Sequence, residues 1–194
     1  LHPSGVAVSL TARSRGSDSA TPLLELRAVC TERRQREAAL DQISFSVWPG
    51  EIFGIAGVDG NGQKQLAEVI AGQLPAASGQ IVFNQQDVSA RSVAQRQSLG
   101  LRYLTDDRLG EGTVSGFSVA LNAVLKRVGE SPFWQKGWTK PQEIDAYARD
   151  LIATYDVRTP GPNAPIGTLS GGNIQKLLFG RELARSPKLV VYNK

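Results

Sequence analysis

Ser170, Gly171 and Gly172 are the residues best suited to chemistry: they follow Leu169 and run directly into an apolar helical pattern at Ile174, Leu177 and Leu178. Glycines at the opening of a helix leave backbone N–H groups uncovered, and that end of a helix carries partial positive charge. A serine hydroxyl and glycine amides gathered there make a ready anion site. The plainer reading of the same residues is a glycine-opened helix with no ligand. A second stretch, Gly57-Val58-Asp59-Gly60-Asn61-Gly62-Gln63-Lys64, has the glycine frame of the phosphate loop G-x-x-x-x-G-K-[ST]. In a working loop the glycines let amides wrap the phosphates, the lysine neutralises them and the hydroxyl holds magnesium. Here Gln63 stands at the lysine position and Lys64 at the hydroxyl position. One step along a helix turns a side chain by about 100°, so Lys64 is expected to point away from the cradle. Asp59 adds negative charge where a phosphate chain would lie. The amides of the loop survive and its charge does not.

Other chemistries are poorly supplied. The single histidine, His2, and the single cysteine, Cys30, exclude a histidine-centred catalytic group and an internal disulfide framework. No apolar run approaches membrane-spanning length, so any membrane association is expected to come through a partner. The net charge of +4 is modest, and the basic patch Arg33-Arg34-Gln35-Arg36 is interrupted on both sides by Glu32 and Glu37. It reads as a solvated loop, and no nucleic-acid partner is expected.

The elements that must position these residues follow in order. Leu24, Leu26 and Ala28 alternate with Glu25 and Arg27, a half-buried strand, with a charged turn at about 30–38. Ile43, Phe45 and Val47 alternate likewise, and Pro49-Gly50 ends that strand. Ile52–Ala56, apolar without alternation, is expected to be a strand buried on both faces, leading into the glycine loop and a helix carrying Leu66, Val69 and Ile70. A strand at Gln80–Phe83, a short helix at Arg91–Ser98 and a strand at Gly100–Leu104 follow. Thr139 and Gln142 suggest a capping box, opening a helix with Ile144, Ala148, Leu151, Ile152 and Tyr155 on one face. The Pro- and Gly-rich stretch 159–167 leads to Leu169. Leu189–Tyr192 is expected to be a second buried strand. Residues 1–22, rich in Ser, Thr, Arg and Gly, read as an interdomain linker, and the chain, without methionine and ending at Lys194, reads as a piece of a longer protein.

The run Leu169-Ser170-Gly171-Gly172-Asn173-Ile174-Gln175-Lys176 resembles the signature sequence of ABC-type ATPases, and its Asn-x-Gln-Lys ending is closest to the second nucleotide-binding domain of nucleoside and simple-sugar importers. The resemblance covers about residues 23–194. It implies an α/β fold: a P-loop NTPase-type parallel-sheet core with antiparallel edge strands (about 23–106 and 169–194) and a helical subdomain (about 107–168), incomplete at the C-terminus. Tyr103-Leu104-Thr105-Asp106-Asp107-Arg108 is similar to the Pro-Glu-Asp-Arg run of that second domain, with Thr105 and Asp106 as departures, and Asp106 takes the place of a glutamine that senses magnesium and water. Asn193 and Lys194 stand where the family has an aspartate for magnesium and a glutamate that polarises water. Asp156–Pro162 resembles the same stretch of nucleoside-type importers.

What the resemblance implies is an ATP-binding domain of an importer whose own site is deficient in hydrolysis. Ser170, Gly171 and Gly172 would grip the γ-phosphate of ATP held by a partner domain, which supplies the Mg²⁺ site. Gly57, Asp59, Gly60, Asn61, Gly62, Gln63, Lys64, Asp106 and Asn173 would contact nucleotide, with no metal ligand in this chain. The implied partners are a second ABC-type ATP-binding domain, in the same polypeptide, and membrane-embedded permease subunits, placing the chain peripherally on the cytoplasmic face of the membrane. Two rival classes stay open: a non-transport ABC-type ATPase acting on nucleic acid or ribosomes, and a non-hydrolytic structural or regulatory module.

Overall fold

The structure, a computed structural model, describes residues 21–33, 38–58 and 60–193. Most of the linker expected at 1–22 and the middle of the charged turn expected at about 30–38 therefore lie outside the described residues, as do Asp59 and Lys194. In chain order the elements are β1 (Leu24–Cys30), β2 (Ile43–Val47), α1 (Gln63–Ala71), β3 (Ser78–Phe83), β4 (Gln86–Asp87), α2 (Val93–Ser98) and β5 (Leu101–Leu104). They continue with α3 (Val119–Ala123), β6 (Trp134–Gln135), β7 (Trp138–Thr139), α4 (Pro141–Thr154), α5 (Gly171–Leu183) and β8 (Leu189–Tyr192). The first of two compact units runs up to Tyr103 and includes Lys188–Asn193; the second spans Leu104–Pro187.

In the first unit an antiparallel sheet has the order β2-β1-β3-β4. Leu24 sits opposite Val47 and Phe83, and Leu26 opposite Phe45 and Ile81, so one face of the sheet is apolar and packs with Leu66, Val69 and Ile70 of α1. The alternation of β1 slips at Ala28. That residue has φ 47° and is exposed, and Val29 takes the buried place expected for it. This is a β-bulge, in which one extra residue shifts the register. Gly79 opposite it, at φ +90°, leaves the room: a Cβ there would lie 2.6 Å from the Val29 Cα.

Two expectations of strand burial are corrected. Residues 51–58 form no strand. Phe53 and Ile55 pack on the core, Phe53 stacking on Phe45 with ring centroids 4.9 Å apart, whereas Ile52 is 90% exposed. An extended segment sends alternate side chains to opposite faces, and among the described residues only one face of this run packs on the core. Strand β8 pairs with β5, but only Leu189 and Val191 meet the core; Val190 and Tyr192 are exposed. It is half-buried.

Helix α1 is held at its far end by Arg96, which is 2% exposed and among the described residues forms no ion pair. Its guanidinium donates to the carbonyls of Val69 (2.6 Å), Ile70 (2.8 Å), Ser89 (3.1 Å) and Arg91 (3.1 Å). A cation suits the negative end of a helix, where carbonyls lack intrahelical donors. Gly72, left-handed at φ 82°, ends α1 and makes space for the Arg96 side chain.

The second unit packs α3, α4 and α5 around Leu104, Val119, Ala148, Leu151, Ile174 and Leu177. Helix α4 buries Ile144, Ala148 and Leu151, as its periodicity requires. The capping box expected from Thr139 and Gln142 is absent. Lys140 is the N-cap, without a side-chain bond, and Pro141 opens the helix. Thr139 is committed to the β6–β7 hairpin opposite Trp134, and proline at the first helical position already carries the right φ. Asn122 is fully buried. Its amide donates to the carbonyls of Val114 (3.1 Å), Phe117 (3.3 Å) and Ser118 (3.0 Å) and accepts from the Val114 N–H (2.8 Å), pinning the loop before α3.

Replacing Arg96 by methionine keeps much of its volume but strands helix-end carbonyls without donors. Urea denaturation is expected to show a loss of about 2–3 kcal/mol, since each buried acceptor left unmade costs on the order of 1–3 kcal/mol; a loss below about 0.5 kcal/mol would contradict the clamp. On the sheet surface, the Asp87 carboxylate is held down to about 2 by hydrogen bonds from the Ser89 hydroxyl, the Gln80 amide and the Ser89 N–H. A carboxyl whose pKa is depressed on folding stabilises the fold above its unfolded pKa, and that contribution drains away as pH falls through the folded value. The Asp87 carboxyl resonance is therefore expected to titrate near pH 2, and Asp87→Asn to flatten the acid limb of the stability profile between about pH 4 and 2. Titration at the ordinary aspartate value would refute it.

Candidate functional site

The glycine loop lies in the first unit. Gly60 (φ 84°) and Gly62 (φ 102°) adopt left-handed backbone, a conformation that glycine enters without strain, and Gly62 is the N-cap of α1. The Val58 carbonyl accepts from the Asn61 N–H at 3.2 Å and from the Gln63 Nε2 at 3.1 Å. The Gln63 amide rests over Gly57, 2.5 Å from where a Cβ would be, so a side chain at position 57 would displace it. Gln63 thus ties the loop together with a neutral donor, in the position where a lysine would bring charge. Lys64 Nζ lies 3.7 Å from the Glu68 carboxylate one helical turn on, a half-exposed pair along the helix surface. The glycine frame suits a phosphate chain; Gln63 and Lys64 supply neither the charge nor the hydroxyl that Mg²⁺ and phosphate call for.

The second group lies in the second unit. Ser170 is the N-cap of α5, with extended backbone (φ −64°, ψ 152°), but its hydroxyl makes no bond to the helix backbone. It accepts from the Asn173 Nδ2 at 2.9 Å. The Asn173 Oδ1 in turn accepts the Arg158 backbone N–H at 2.9 Å. A backbone N–H can only donate, so this contact settles which way round the Asn173 amide sits. The Ser170 oxygen then accepts a hydrogen bond from Asn173, which leaves its own O–H to donate elsewhere. The amides of Gly171 and Gly172, in the first turn, have no intrahelical carbonyl to reach. Lys176 Nζ binds the Asp156 carbonyl (2.7 Å) and carboxylate (2.6 Å), fixing the loop that carries Arg158; that hydrogen bond and the lysine charge hold the Asp156 pKa below its ordinary value.

Of the residues marked from sequence, Gly57, Gly60, Asn61, Gly62, Gln63 and Lys64 come together in the first unit, and Ser170, Gly171, Gly172 and Asn173 in the second. Asp59 is not among the described residues. Asp106 is exposed and makes no bond to the 170–173 group. Arg108, two residues on and passed over in the sequence, does reach it: its Nη1 lies 2.7 Å from the place a Gly171 Cβ would occupy. The Tyr103–Arg108 run was the available signal, since it ends in the only cation of that loop's start. Among the described residues no group of three or more His, Cys, Asp or Glu side chains gathers to hold a metal, and no helix is long and apolar enough to cross a membrane.

The sequence is similar to the glucose import ATP-binding protein TsgD13 of Haloferax volcanii, 37% identical over 89% of this chain and 32% of that protein. It is similar also to the guanosine import ATP-binding protein NupO of Bacillus subtilis, 33% identical over 96% of this chain and 37% of that protein. The chain thus spans about a third of the length of these curated relatives. A nucleotide-free ATP-binding cassette from an ABC transporter superposes with a TM-score of 0.70 at 23% identity, covering 89% of this chain and 68% of that one, which shows the shared fold. The ABC transporter family profile matches residues 40–192, the span that holds the glycine loop and the Ser170 helix, and the chain belongs to that family as an ATP-binding domain.

Proposed function

We propose that this chain is the degenerate, second ATP-binding domain of an importer for nucleosides or simple sugars, and that it offers Ser170, Gly171 and Gly172 to ATP held by a partner domain. The carrying observation is a contrast. The Ser170 hydroxyl, at a helix N-terminus, accepts from Asn173 and so keeps its own O–H as a donor, whereas the glycine loop has a neutral amide at its lysine position and its neighbouring lysine turned to Glu68. Relatives named for import of glucose, guanosine and ribose support the solute class.

In this mechanism the partner domain contributes the intact phosphate loop, Mg²⁺ and the carboxylate that activates water. This chain positions donors around the γ-phosphoryl group. Phosphoryl transfer is catalysed largely by placement and by stabilising charge on the equatorial oxygens. The Ser170 O–H and the Gly171 and Gly172 amides are preorganised for that task, because Asn173, Arg158 and the buried face of α5 fix them before any ligand arrives. The segment 106–140 carries the coupling to a permease; Leu109, Val114, Phe117 and Leu121 on it are exposed apolar side chains.

In the assembled importer Lys64→Ala is expected to leave ATP turnover nearly unchanged, since Lys64 serves a surface pair with Glu68. Gly171→Asp is expected to lower turnover about 100-fold or more, the scale of losing one well-placed donor to a developing charge. The new carboxylate would repel phosphate and capture the Arg108 guanidinium beside it. Turnover of both variants, with melting curves as a folding check, tests this; a more damaging Lys64→Ala would make the chain's own loop catalytic. Permease coupling is tested by cysteine cross-linking from Ser115, on a background with Cys30 replaced. Ser118 is unsuitable because its hydroxyl caps α3. Cross-links to permease cytoplasmic loops are expected, and their absence both with and without ATP would count against transport.

A further inference from the structure

We propose that Arg108 is the cationic member of the phosphate-contacting group formed by Ser170, Gly171 and Gly172; the proposal rests on the reading above that this group meets a phosphate. The guanidinium Nη1 sits over Gly171, in space that any side chain there would fill. Among the described residues Arg108 forms no ion pair and its guanidinium no hydrogen bond, although carboxylates surround it in sequence. Asp107 turns its carboxylate to the Gly110 N–H at 2.8 Å, and Glu111 accepts from the Thr105 hydroxyl at 2.9 Å. Asp156, on the loop beside α5, is taken by Lys176.

This placement has the wrong sign for a structural contact. Helix N-termini attract anions and disfavour cations, so an arginine parked over the first residue of α5 raises the local potential without relieving it. The same placement is favourable once an anion is present. Arginine adds a planar fork of N–H donors that matches phosphate oxygens, and the helix amides and Ser170 hydroxyl approach from the α5 side. The backbone of Arg108 is anchored. Its carbonyl accepts from the Thr113 hydroxyl at 2.9 Å, and the Gly112 backbone passes so close that a Cβ there would lie 2.8 Å from that carbonyl. Gly112 lets the chain close on the backbone of Arg108, and Gly171 lets the guanidinium close on the helix. The ligand implied is the terminal phosphoryl group of a polyphosphate, the most highly charged part of the nucleotide.

The test compares Arg108→Gln, Arg108→Lys and Ser170→Ala in the assembled importer, together with melting curves of the chain. Arg108→Gln is expected to lower ATP turnover about 10- to 100-fold, Arg108→Lys to recover part of the loss, and neither to lower the melting temperature, because removing a cation from a helix N-terminus relieves repulsion. A slow Ser170→Ala with a normal Arg108→Gln overturns the role of Arg108 and leaves the signature reading standing. A normal Ser170→Ala overturns that reading and this proposal with it. Slow turnover of Arg108→Gln accompanied by a melting temperature several degrees lower, or by no recovery in Arg108→Lys, makes Arg108 structural and overturns the proposal.

Discussion

The first N–H groups of a helix have no intrahelical carbonyl to reach; in α5 the Asn173 N–H turns back to the Ser170 carbonyl at 2.9 Å, and the amides of Gly171 and Gly172 are left to outside partners. The obvious internal partner is the Ser170 hydroxyl, which as an N-cap would normally accept one of them. Here Asn173 occupies that oxygen, and the Arg158 N–H in turn holds Asn173 in the one amide orientation that can do so. Arg158 is kept in place by the Lys176–Asp156 contact one helical turn further along α5. Side chains at 173 and 176 share a face, so one stripe of the helix secures both the serine and the loop that orients it. The adjoining stripe, Ile174, Leu177 and Leu178, is buried in the core shared with α3 and α4. Packing fixes the axis of the helix, and Asn173 occupies the Ser170 oxygen as an acceptor, leaving its O–H to donate.

The two phosphate-type elements separate what backbone and side chains contribute. The glycine loop keeps its left-handed residues and its internal bond to the Val58 carbonyl, because those depend on glycine and on a donor at position 63 of suitable length. Glutamine meets both conditions. What it lacks is charge, which matters to a ligand and not to the loop. A loop can therefore hold its form after losing its electrostatics, and shape alone is weak evidence of nucleotide binding. The α5 element shows the reverse: its form leaves donors unspent, and Arg108 adds a cation that nothing in the described chain neutralises.

Sequence periodicity located the helices that carry these elements, since α1, α4 and α5 each bury the stripe that their spacing marked out. The antiparallel edge strands were equally legible from alternation. The failures have distinct physical causes. Ala28 loses its buried place to a bulge whose only local trace is Gly79 in the opposing strand. Ile52–Ala56 is apolar throughout, yet burial on two faces needs neighbours on both sides, which composition alone does not reveal. Thr139 and Gln142 have capping spacing, but the Trp134–Thr139 pairing claims the threonine first. Among site residues, Ser170 to Asn173 are consecutive and so were visible as a motif. Arg108 is far from them in sequence, and its approach to Gly171 depends on a loop folded by Asp107, Thr113 and Gly112.

Gly171 is constrained from two directions at once. A Cβ at this position would meet the Arg108 guanidinium from within the chain, and on the proposed reading it would also stand between the helix and an incoming phosphate. The first constraint is soft, because a long side chain can swing aside. The second is hard, because a phosphate must approach the amides closely to be held by them. Alanine would therefore displace Arg108 by little but still lengthen the path from amide to phosphate. The two glycines also differ: nothing lies within 4 Å of a Cβ on Gly172, so no packing inside the described chain requires glycine there. Packing among the described residues leaves Gly172 free to vary, and on the proposed reading it is the incoming phosphate that favours glycine there.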